Sequence, residues 1–221
     1  MTKNNGIIWL VVVVLIIALV IILVLVGGKS DKLDKDAKID DNTQQITQVR
    51  ESDWVQGSKD AKVIIIEYAD FQCQACAAYH SLIKQVEEKF GSQIGFVYRH
   101  FPLSNIHENA KLSAASAEVA GLQGKFWEMH DMIYKNQEEW SKNNNAKEIF
   151  TGYAKTLGLD EDKFKNDIDS KEIRDKISES YREGILLNVT GTPTFFLNGE
   201  KMTNPRSFEE FDKVISKELA K

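Results

Sequence analysis

Cysteine and proline are scarce in this chain of 221 residues, which has two cysteines and three prolines. So few cysteines exclude a small secreted fold that is held together by disulfides. The two cysteines, Cys73 and Cys76, lie close together in sequence, so a bridge between them would be local and is expected to serve chemistry. The length is sufficient for one domain with a sizeable hydrophobic core plus an appendage.

The chain also lacks an excess of positive charge, with 28 basic and 33 acidic residues and a formal net charge of -5. A surface that binds nucleic acid has to neutralise phosphates and is therefore basic, so the composition argues against a nucleic-acid partner. The sequence contains no internal repeat and no glycine-rich loop of the kind that cradles phosphate groups.

Charge is almost missing from the first 28 residues, in which Lys3 is the only charged side chain. After a short tail at residues 1–6, the segment Ile7–Val26 is apolar without interruption. As a helix it would be about 30 Å long, which matches the hydrocarbon core of a bilayer. The sequence thus predicts a single N-terminal transmembrane helix over residues 7–26, with a cleaved signal peptide as the alternative.

Residues 27–52 contain charges of both signs and polar residues but hardly any large apolar side chain. Such a segment buries too little surface to fold by itself, and it is predicted to be a polar linker to a folded domain at 53–221. A count of the lysines that follow the apolar run would place this domain in the cytoplasm. Long domains cross membranes largely regardless of such charges, so the orientation depends on what the domain is.

The folded domain is predicted to begin with a strand, a loop that contains both cysteines, and a helix. The β-branched run Val63–Ile66 lacks alternation, as is typical of a central strand that is covered on both faces. A C-x-x-C motif at 73–76 then opens a stretch with apolar residues at helical spacing, which stops at Gly91. Because Ile94–Phe101 is predicted to be a second strand, these pieces form a βαβ unit with parallel strands.

Helices and a second piece of sheet follow. Residues from about 105 to 188 are predicted to form a helical insertion, because their apolar residues recur at helical spacing. After it, Thr194–Leu197 is predicted to be a strand, Asn198-Gly199 a hairpin turn, and Ser207 the cap of a last helix. One helix of the insertion, beginning after Ser170, is expected to bury a stripe made of Ile173, Ile177, Tyr181 and Ile185.

The C-x-x-C pair carries the chemistry. At the first turn of a helix, the Cys73 sulfur lies near unpaired backbone N–H groups and the positive end of the helix dipole, which stabilise a thiolate. Thiolate is the reactive form, and pKa values of about 3.5 to 7.5 are typical of such motifs. A zinc site could also use Cys73 and Cys76, but it would need two more ligands. His80, the only histidine near them in sequence, is expected to be an ordinary residue of the helix surface.

The order of elements and five local motifs together resemble the DsbA-like branch of the thioredoxin superfamily. The motifs are W-V-x-G-x-x-x-A, E-Y-A-D-F-Q-C-Q-A-C-A-A-Y-H, Y-R-H-F-P-L, G-K-F-W-E-M-H-D and G-T-P-T-F-F-L-N-G, and the likeness covers about 53–221. It implies an α/β thioredoxin fold with an inserted helical domain. It also implies that Cys73 exchanges with substrate and that Cys76 is the buried resolving sulfur.

Further roles follow from the resemblance. Thr192-Pro193 matches a cis peptide bond that faces the cysteines and exposes backbone groups to an extended substrate peptide. Glu67 matches an acid beneath the active site; buried there, it would have a raised pKa and could exchange protons with the resolving cysteine through water. A glutamate that points into solvent at the strand end is the alternative. Gln74 and Ala75 are expected to contact substrate.

Gln74 and Ala75 also depart from the family pattern, which commonly has proline after the first cysteine and, in strong oxidases, histidine before the second. Without an imidazole, the thiolate is expected to be less favoured and the disulfide less oxidising than in those enzymes.

The resemblance implies a membrane-tethered protein thiol-disulfide oxidoreductase on the outer face of a cytoplasmic membrane, without a cofactor. As an oxidase it would act on exported proteins through a Cys73–Cys76 disulfide, and a quinone-linked membrane partner of the DsbB or VKOR type would re-oxidise it. The same site could instead serve a disulfide reductase or isomerase. A different class remains open, namely a metal-binding module in which Cys73, Cys76 and a histidine hold copper or zinc.

Overall fold

The computed structural model describes Val14 and residues 47–221. Five strands lie within residues 47–221: β1 (Trp54–Gly57), β2 (Val63–Ala69), β3 (Ile94–His100), β4 (Thr194–Leu197) and β5 (Glu200–Lys201). The same range contains eight α-helices: α1 (Gln74–Phe90), α2 (Ala110–Leu122), α3 (Phe126–Lys135), α4 (Gln137–Trp140), α5 (Ala146–Thr156), α6 (Glu161–Asp167), α7 (Lys171–Leu186) and α8 (Phe208–Leu219).

The strands form one sheet with the order β1-β3-β2-β4-β5. β2 and β3 pair in parallel and α1 connects them, which confirms the predicted βαβ unit. β1 is antiparallel to β3, and β4 is antiparallel to both β2 and β5. Helices α2 to α7 lie between β3 and β4 in sequence, so the predicted helical insertion is confirmed.

Local sequence signals set the ends of several elements. Asn198 and Gly199 have φ angles of 48° and 87°, the positive values that a two-residue hairpin turn of type I′ requires, and they connect β4 to β5. The Ser207 hydroxyl oxygen accepts a hydrogen bond from the backbone N–H of Glu210 at 3.4 Å and caps α8. The predicted turn and the predicted helix cap are therefore both confirmed.

Apolar side chains cover both faces of β2. On one face, Ile65 belongs to a cluster with Phe195 of β4 and Phe211 of α8. On the other face, Ile66 belongs to a cluster with Val97 of β3. A third cluster joins helices of the insertion to residues of β2 and β3, so the insertion shares a hydrophobic core with the strands that lead to the cysteines.

Two elements differ from the sequence prediction. Trp54–Gly57, predicted to precede the first strand, is itself an edge strand paired with β3, and four residues are too few for a recognisable pattern. In α7, Ile173 and Ile177 are buried as expected, but Ile185 is 50% exposed and Tyr181 is 36% exposed. The buried face of α7 continues through the small residues Ser180 and Gly184 instead, so the expectation that Ile185 is buried is wrong.

The predicted tail at 1–6 and the predicted transmembrane helix at 7–26 lie outside the described residues, apart from Val14. Within the part of the chain that the structure does describe, no helix is both long and apolar enough to cross a membrane.

The described end of the predicted linker contacts the folded domain. The Arg99 guanidinium, which is buried, forms an ion pair with Asp53 at 2.7 Å and donates a hydrogen bond to the carbonyl oxygen of Gln48, also at 2.7 Å. Arg50 pairs with Asp53 at 3.1 Å and with Glu183 of α7. Residues 48 and 50 thus already contact the domain, a few residues before the predicted boundary at 53.

Candidate active site

The C-x-x-C motif lies where β2 ends and α1 begins. The backbone N–H of Cys73 donates a hydrogen bond to the carbonyl oxygen of Asp70 at 3.0 Å, which closes a tight turn between strand and helix. Cys73 is the N-cap residue of α1, next to the unpaired N–H groups of the first helical turn. Both cysteines are free thiols; Cys73 is partly exposed, and Cys76 is fully buried. The structure thus separates an accessible sulfur from a hidden one.

The surroundings of Cys73 lower its pKa to about 5. The largest cause is a hydrogen bond with the Cys76 thiol, which stabilises the Cys73 thiolate; burial acts in the opposite direction. The side chain of Thr192 and the backbone N–H groups of Ala75 and Cys76 lower the pKa further. Cys73 is therefore mainly a thiolate at neutral pH, although neither residue between the cysteines is a histidine.

The surroundings of Cys76 shift the pKa of its thiol in the opposite direction. Burial raises the pKa of its thiol well above the usual value, and the hydrogen bond to Cys73 and the nearby negative charge of Glu67 raise it further. A thiolate at Cys76 is thus unfavourable, so Cys76 needs a proton when it leaves a disulfide and a base when it attacks one.

Glu67 lies beneath the cysteines within the sheet. It is in register with Tyr98 of β3 and Phe195 of β4, so its side chain shares their face of the sheet. Glu67 is only 3% exposed, and burial, together with the charges of Cys73 and Glu87, raises its pKa to about 8. Its Oε1 has no hydrogen-bond partner among the described residues. The burial predicted for Glu67 is confirmed and the solvent-facing alternative is wrong, whereas its role in proton transfer stays a prediction.

The Thr192–Pro193 peptide bond faces Cys73 and is cis, as the resemblance implies. The Cys73 sulfur lies 3.5 Å from the carbonyl oxygen of Thr192, to which it donates a hydrogen bond when it is protonated. Pro193 is buried, and its carbonyl oxygen accepts a hydrogen bond from the Asn204 side chain at 2.7 Å. The structure therefore brings the segment predicted to bind substrate against the reactive sulfur.

Gln74 and Ala75, also predicted to contact substrate, occupy the first turn of α1 and are both exposed. They lie beside the accessible sulfur of Cys73, where a bound polypeptide could reach them. Their contact with substrate stays a prediction.

Asp70 is a buried residue of the site to which the sequence analysis assigned no role. Its carboxylate accepts hydrogen bonds from the backbone N–H groups of Gln72 and Leu103, both at 2.8 Å, and lies 2.7 Å from Nδ1 of His107. Asp70 thereby ties the loop before Cys73 to the segment after β3. An acid directly after a strand is visible in sequence, but its partner His107 is 37 residues away.

Gln137 of α4 also holds the cysteine loop in place. Its side-chain amide donates hydrogen bonds to the carbonyl oxygens of Phe71 at 2.6 Å and Cys73 at 3.1 Å. Through Gln137 the helical insertion directly positions the backbone of the motif. Nothing in the sequence marks this residue, because one glutamine on a short helix carries no local pattern.

His80 differs from the sequence expectation of an ordinary helix-surface residue. Its side chain is only 14% exposed, and its Nε2 lies 2.9 Å from Oδ1 of Asp131 in α3. Among the described residues, the side chains close enough to share a metal ion are His80, His130 and Asp131, and neither Cys73 nor Cys76 belongs to this group. The structure thus gives no support to a site made of both cysteines and His80.

Comparisons with known proteins place this arrangement in a family. A family model described as thioredoxin matches residues 49–217. Two curated relatives are the Na(+)/H(+) antiporter NhaA 1 of Salinispora arenicola, 34% identical over 168 residues, and the Na(+)/H(+) antiporter NhaA 3 of Salinispora tropica, 33% identical over 168 residues. Each alignment covers 76% of this chain and 25% of the relative, so the chain spans about a quarter of the length of these relatives.

Solved structures share the fold. Alpha-DsbA1 from Wolbachia pipientis has a TM-score of 0.72 at 23% identity, with 80% of this chain and 96% of that chain covered. Oxidised BdbD from Bacillus subtilis has a TM-score of 0.68 at 20% identity, with 76% and 92% covered. The predicted α/β thioredoxin fold with a helical insertion is therefore confirmed. The chain belongs to the thioredoxin family and has the fold of DsbA-like thiol-disulfide oxidoreductases.

Proposed function

We propose that the protein is a thiol-disulfide oxidoreductase that forms disulfides in exported proteins. The observation that carries the proposal is the contrast between the two sulfurs: Cys73 is partly exposed with a pKa lowered to about 5, and Cys76 is buried with a raised pKa. One sulfur can exchange with a large substrate while the other stays inside the protein. The cis bond before Pro193 lies against the exchanging sulfur, where an extended peptide could bind.

The proposed reaction starts with a Cys73–Cys76 disulfide. A substrate thiolate attacks Cys73, the Cys73–Cys76 bond breaks, and Cys76 leaves as a thiolate that takes up a proton. A second substrate thiolate then attacks the substrate sulfur of the mixed disulfide, and Cys73 leaves as a thiolate. The substrate dithiol loses two electrons and becomes a disulfide, and the protein gains them as a reduced pair. Glu67, which is protonated below its pKa of about 8, is the proposed source of the proton for Cys76.

The oxidase direction is supported by the stability of the Cys73 thiolate. A thiolate that is stabilised in the reduced protein makes reduction of the disulfide more favourable, and hence makes the protein a stronger oxidant. The same two sulfurs can catalyse the reverse reaction, as in a reductase or isomerase, if the reduction potential of their disulfide is low. The reduction potential therefore decides between the two directions.

The place of action is proposed from the sequence. The apolar residues 7–26 would span a cytoplasmic membrane once, with the redox domain on the extracytoplasmic side, where exported proteins acquire disulfides. An oxidase has to be re-oxidised after each turnover, and a quinone-linked membrane protein of the DsbB or VKOR type is the proposed electron acceptor.

Equilibration of the full chain with glutathione buffers tests the direction. Thiol-disulfide centres span about -270 mV for thioredoxin to about -120 mV for DsbA, and we expect a value well above the thioredoxin end. The oxidised protein should also form a disulfide in a reduced, unfolded substrate with two thiols, and Cys73→Ser should abolish this activity. A potential near that of thioredoxin would contradict the oxidase assignment and favour the reductase.

A trapping variant tests the role of each sulfur. Cys76→Ser should form a mixed disulfide between Cys73 and an oxidised substrate that cannot be resolved within the protein, whereas Cys73→Ser should trap nothing because Cys76 is buried. Equal trapping by both variants would contradict the assigned roles.

A further inference from the structure

Two imidazoles and a carboxylate meet between α1 and α3, one helical turn beyond Cys76. His80 Nε2 lies 2.9 Å from Asp131 Oδ1, and His130 Nδ1 lies 3.0 Å from the same oxygen. The three side chains each offer one ligand atom, and these atoms all lie within 4.8 Å of one another. The proposed disulfide chemistry uses none of the three residues.

This donor set has the chemistry of a zinc site. Zinc binds imidazole nitrogens and carboxylate oxygens at about 2.0 to 2.2 Å, so ligand atoms of a tetrahedral site are about 3.3 Å apart. The two nitrogen–oxygen separations of 2.9 and 3.0 Å are already close to that spacing, and the three ligand atoms all lie within 4.8 Å of one another. We propose that His80, His130 and Asp131 bind one Zn²⁺ ion, with water as the fourth ligand.

The environment allows an ion to enter and leaves the negative charge of Asp131 available to it. The Asp131 side chain is 38% exposed, so the cluster opens to solvent at this carboxylate. Lys84 lies 3.0 Å from Asp131 Oδ2, the oxygen that the imidazoles do not contact, and 2.8 Å from Glu87. Glu87 thus offsets the charge of Lys84, while Lys84 itself repels a cation and sets an upper limit on affinity.

A bound ion would connect the two parts of the fold. His80 is on α1, the helix that begins at Cys73, whereas His130 and Asp131 are on α3 of the insertion. An ion that binds the folded protein through both helices stabilises it by mass action, to an extent that grows with ion concentration. Zinc should therefore raise the thermal unfolding temperature without taking part in thiol exchange.

The test uses the full chain, purified in detergent and oxidised so that the Cys73–Cys76 disulfide removes both thiols as competing ligands. Titration with zinc chloride should show one site per chain by calorimetry, and the unfolding temperature should rise with zinc concentration. Asp131→Asn and His80→Gln should each weaken binding at least tenfold. Lys84→Met removes the competing ammonium and should tighten binding several-fold.

His107→Gln is the matched control, because His107 also pairs with a carboxylate, Asp70 at 2.7 Å, but lies outside the cluster. This variant should bind zinc as the unaltered chain does. The proposal is wrong if the oxidised chain binds no zinc, or if His80→Gln and His107→Gln weaken binding equally. Equilibration with glutathione measures only the reduction potential of the Cys73–Cys76 pair. A chain that binds no zinc would therefore leave the proposed oxidoreductase function unaffected, and a low potential would leave the proposed zinc site unaffected.

Discussion

At the scale of single residues, Thr192 supplies a buried hydroxyl next to Cys73. This hydroxyl has no hydrogen-bond partner in the described part of the chain, and it lowers the pKa of Cys73, so it is free to donate to the thiolate. Thr192→Val removes the donor and keeps the shape of the side chain. A hydrogen bond to a charged group contributes about 1.5 to 3 kcal/mol, so the pKa of Cys73 should rise by about one unit or more.

Thiolate absorbance against pH measures this change, and equilibration with glutathione measures its consequence. Each unit of increase should make the potential about 30 mV more negative, because the reduced state loses about 1.4 kcal/mol. Thr190→Val is a matched control at an exposed position two residues away. An unchanged or lowered pKa in Thr192→Val would contradict the role of the hydroxyl.

Glu67 should make stability depend on pH. Its folded pKa of about 8 lies above the ordinary value of 4.5, so its stabilising contribution is complete below about pH 4.5 and is lost as the pH rises to 8. Between these pH values the free energy of unfolding falls by about 1.4 kcal/mol per pH unit, because the unfolded chain releases the Glu67 proton that the folded protein retains. Glu67→Gln cannot ionise and should not show this loss.

Urea unfolding of the reduced proteins at pH 5 and at pH 8 tests this expectation. The lowered pKa of Cys73 changes the free energy of unfolding in the opposite direction. Its contribution is present above the unfolded pKa of Cys73 and is lost as the pH falls toward 5. Both proteins have this contribution. The difference between them therefore reports Glu67. Relative to the unaltered protein, Glu67→Gln should be more stable at pH 8 than at pH 5, and a constant difference would show that Glu67 titrates normally.

At the scale of elements, two glycines in helices should respond oppositely to alanine. A Cβ at Gly121 of α2 would lie 2.3 Å from the Trp54 ring, which packs β1 against this helix, whereas a Cβ at Gly152 of α5 meets nothing within 4 Å. Gly121→Ala should destabilise the protein by about 1 to 3 kcal/mol through overpacking. Gly152→Ala should stabilise it by up to about 1 kcal/mol through helix propensity. Denaturant unfolding measures both, and stabilisation by Gly121→Ala would contradict the packing.

The elements predictable from sequence are those with strong local signals. The β-branched run of β2, the Asn198-Gly199 turn and the Ser207 cap each depend on residues within a few positions, and the structure has all three. The sequence does not predict β1, because its position depends on pairing with β3, about 40 residues away. The prediction for Ile185 is wrong because helical spacing marks the apolar side chains, whereas α7 packs on the core through the small residues Ser180 and Gly184.

At the scale of the whole molecule, the same division between local and distant signals applies to the site. The C-x-x-C motif and the Thr192-Pro193 segment were visible as motifs, and the fold brings them together. Gln137 and the Asp131 cluster were not predicted, because their contacts with the cysteine loop and with α1 arise from how the insertion folds back on the sheet. Such long-range contacts produce no recognisable pattern of residue spacing in the sequence.

The scarcity of cysteine provides a test of how the whole chain is placed in a membrane. The chain has two cysteines, of which Cys76 is buried and Cys73 is partly exposed with a lowered pKa, so a maleimide should react with Cys73 alone. If residues 7–26 hold the domain on the outer face, a membrane-impermeant maleimide should label the mildly reduced protein in intact cells. Cys76→Ser should still be labelled, and Cys73→Ser should not. Labelling that needs disrupted cells would place the domain inside, and labelled protein in the medium rather than the membrane fraction would favour a cleaved signal peptide.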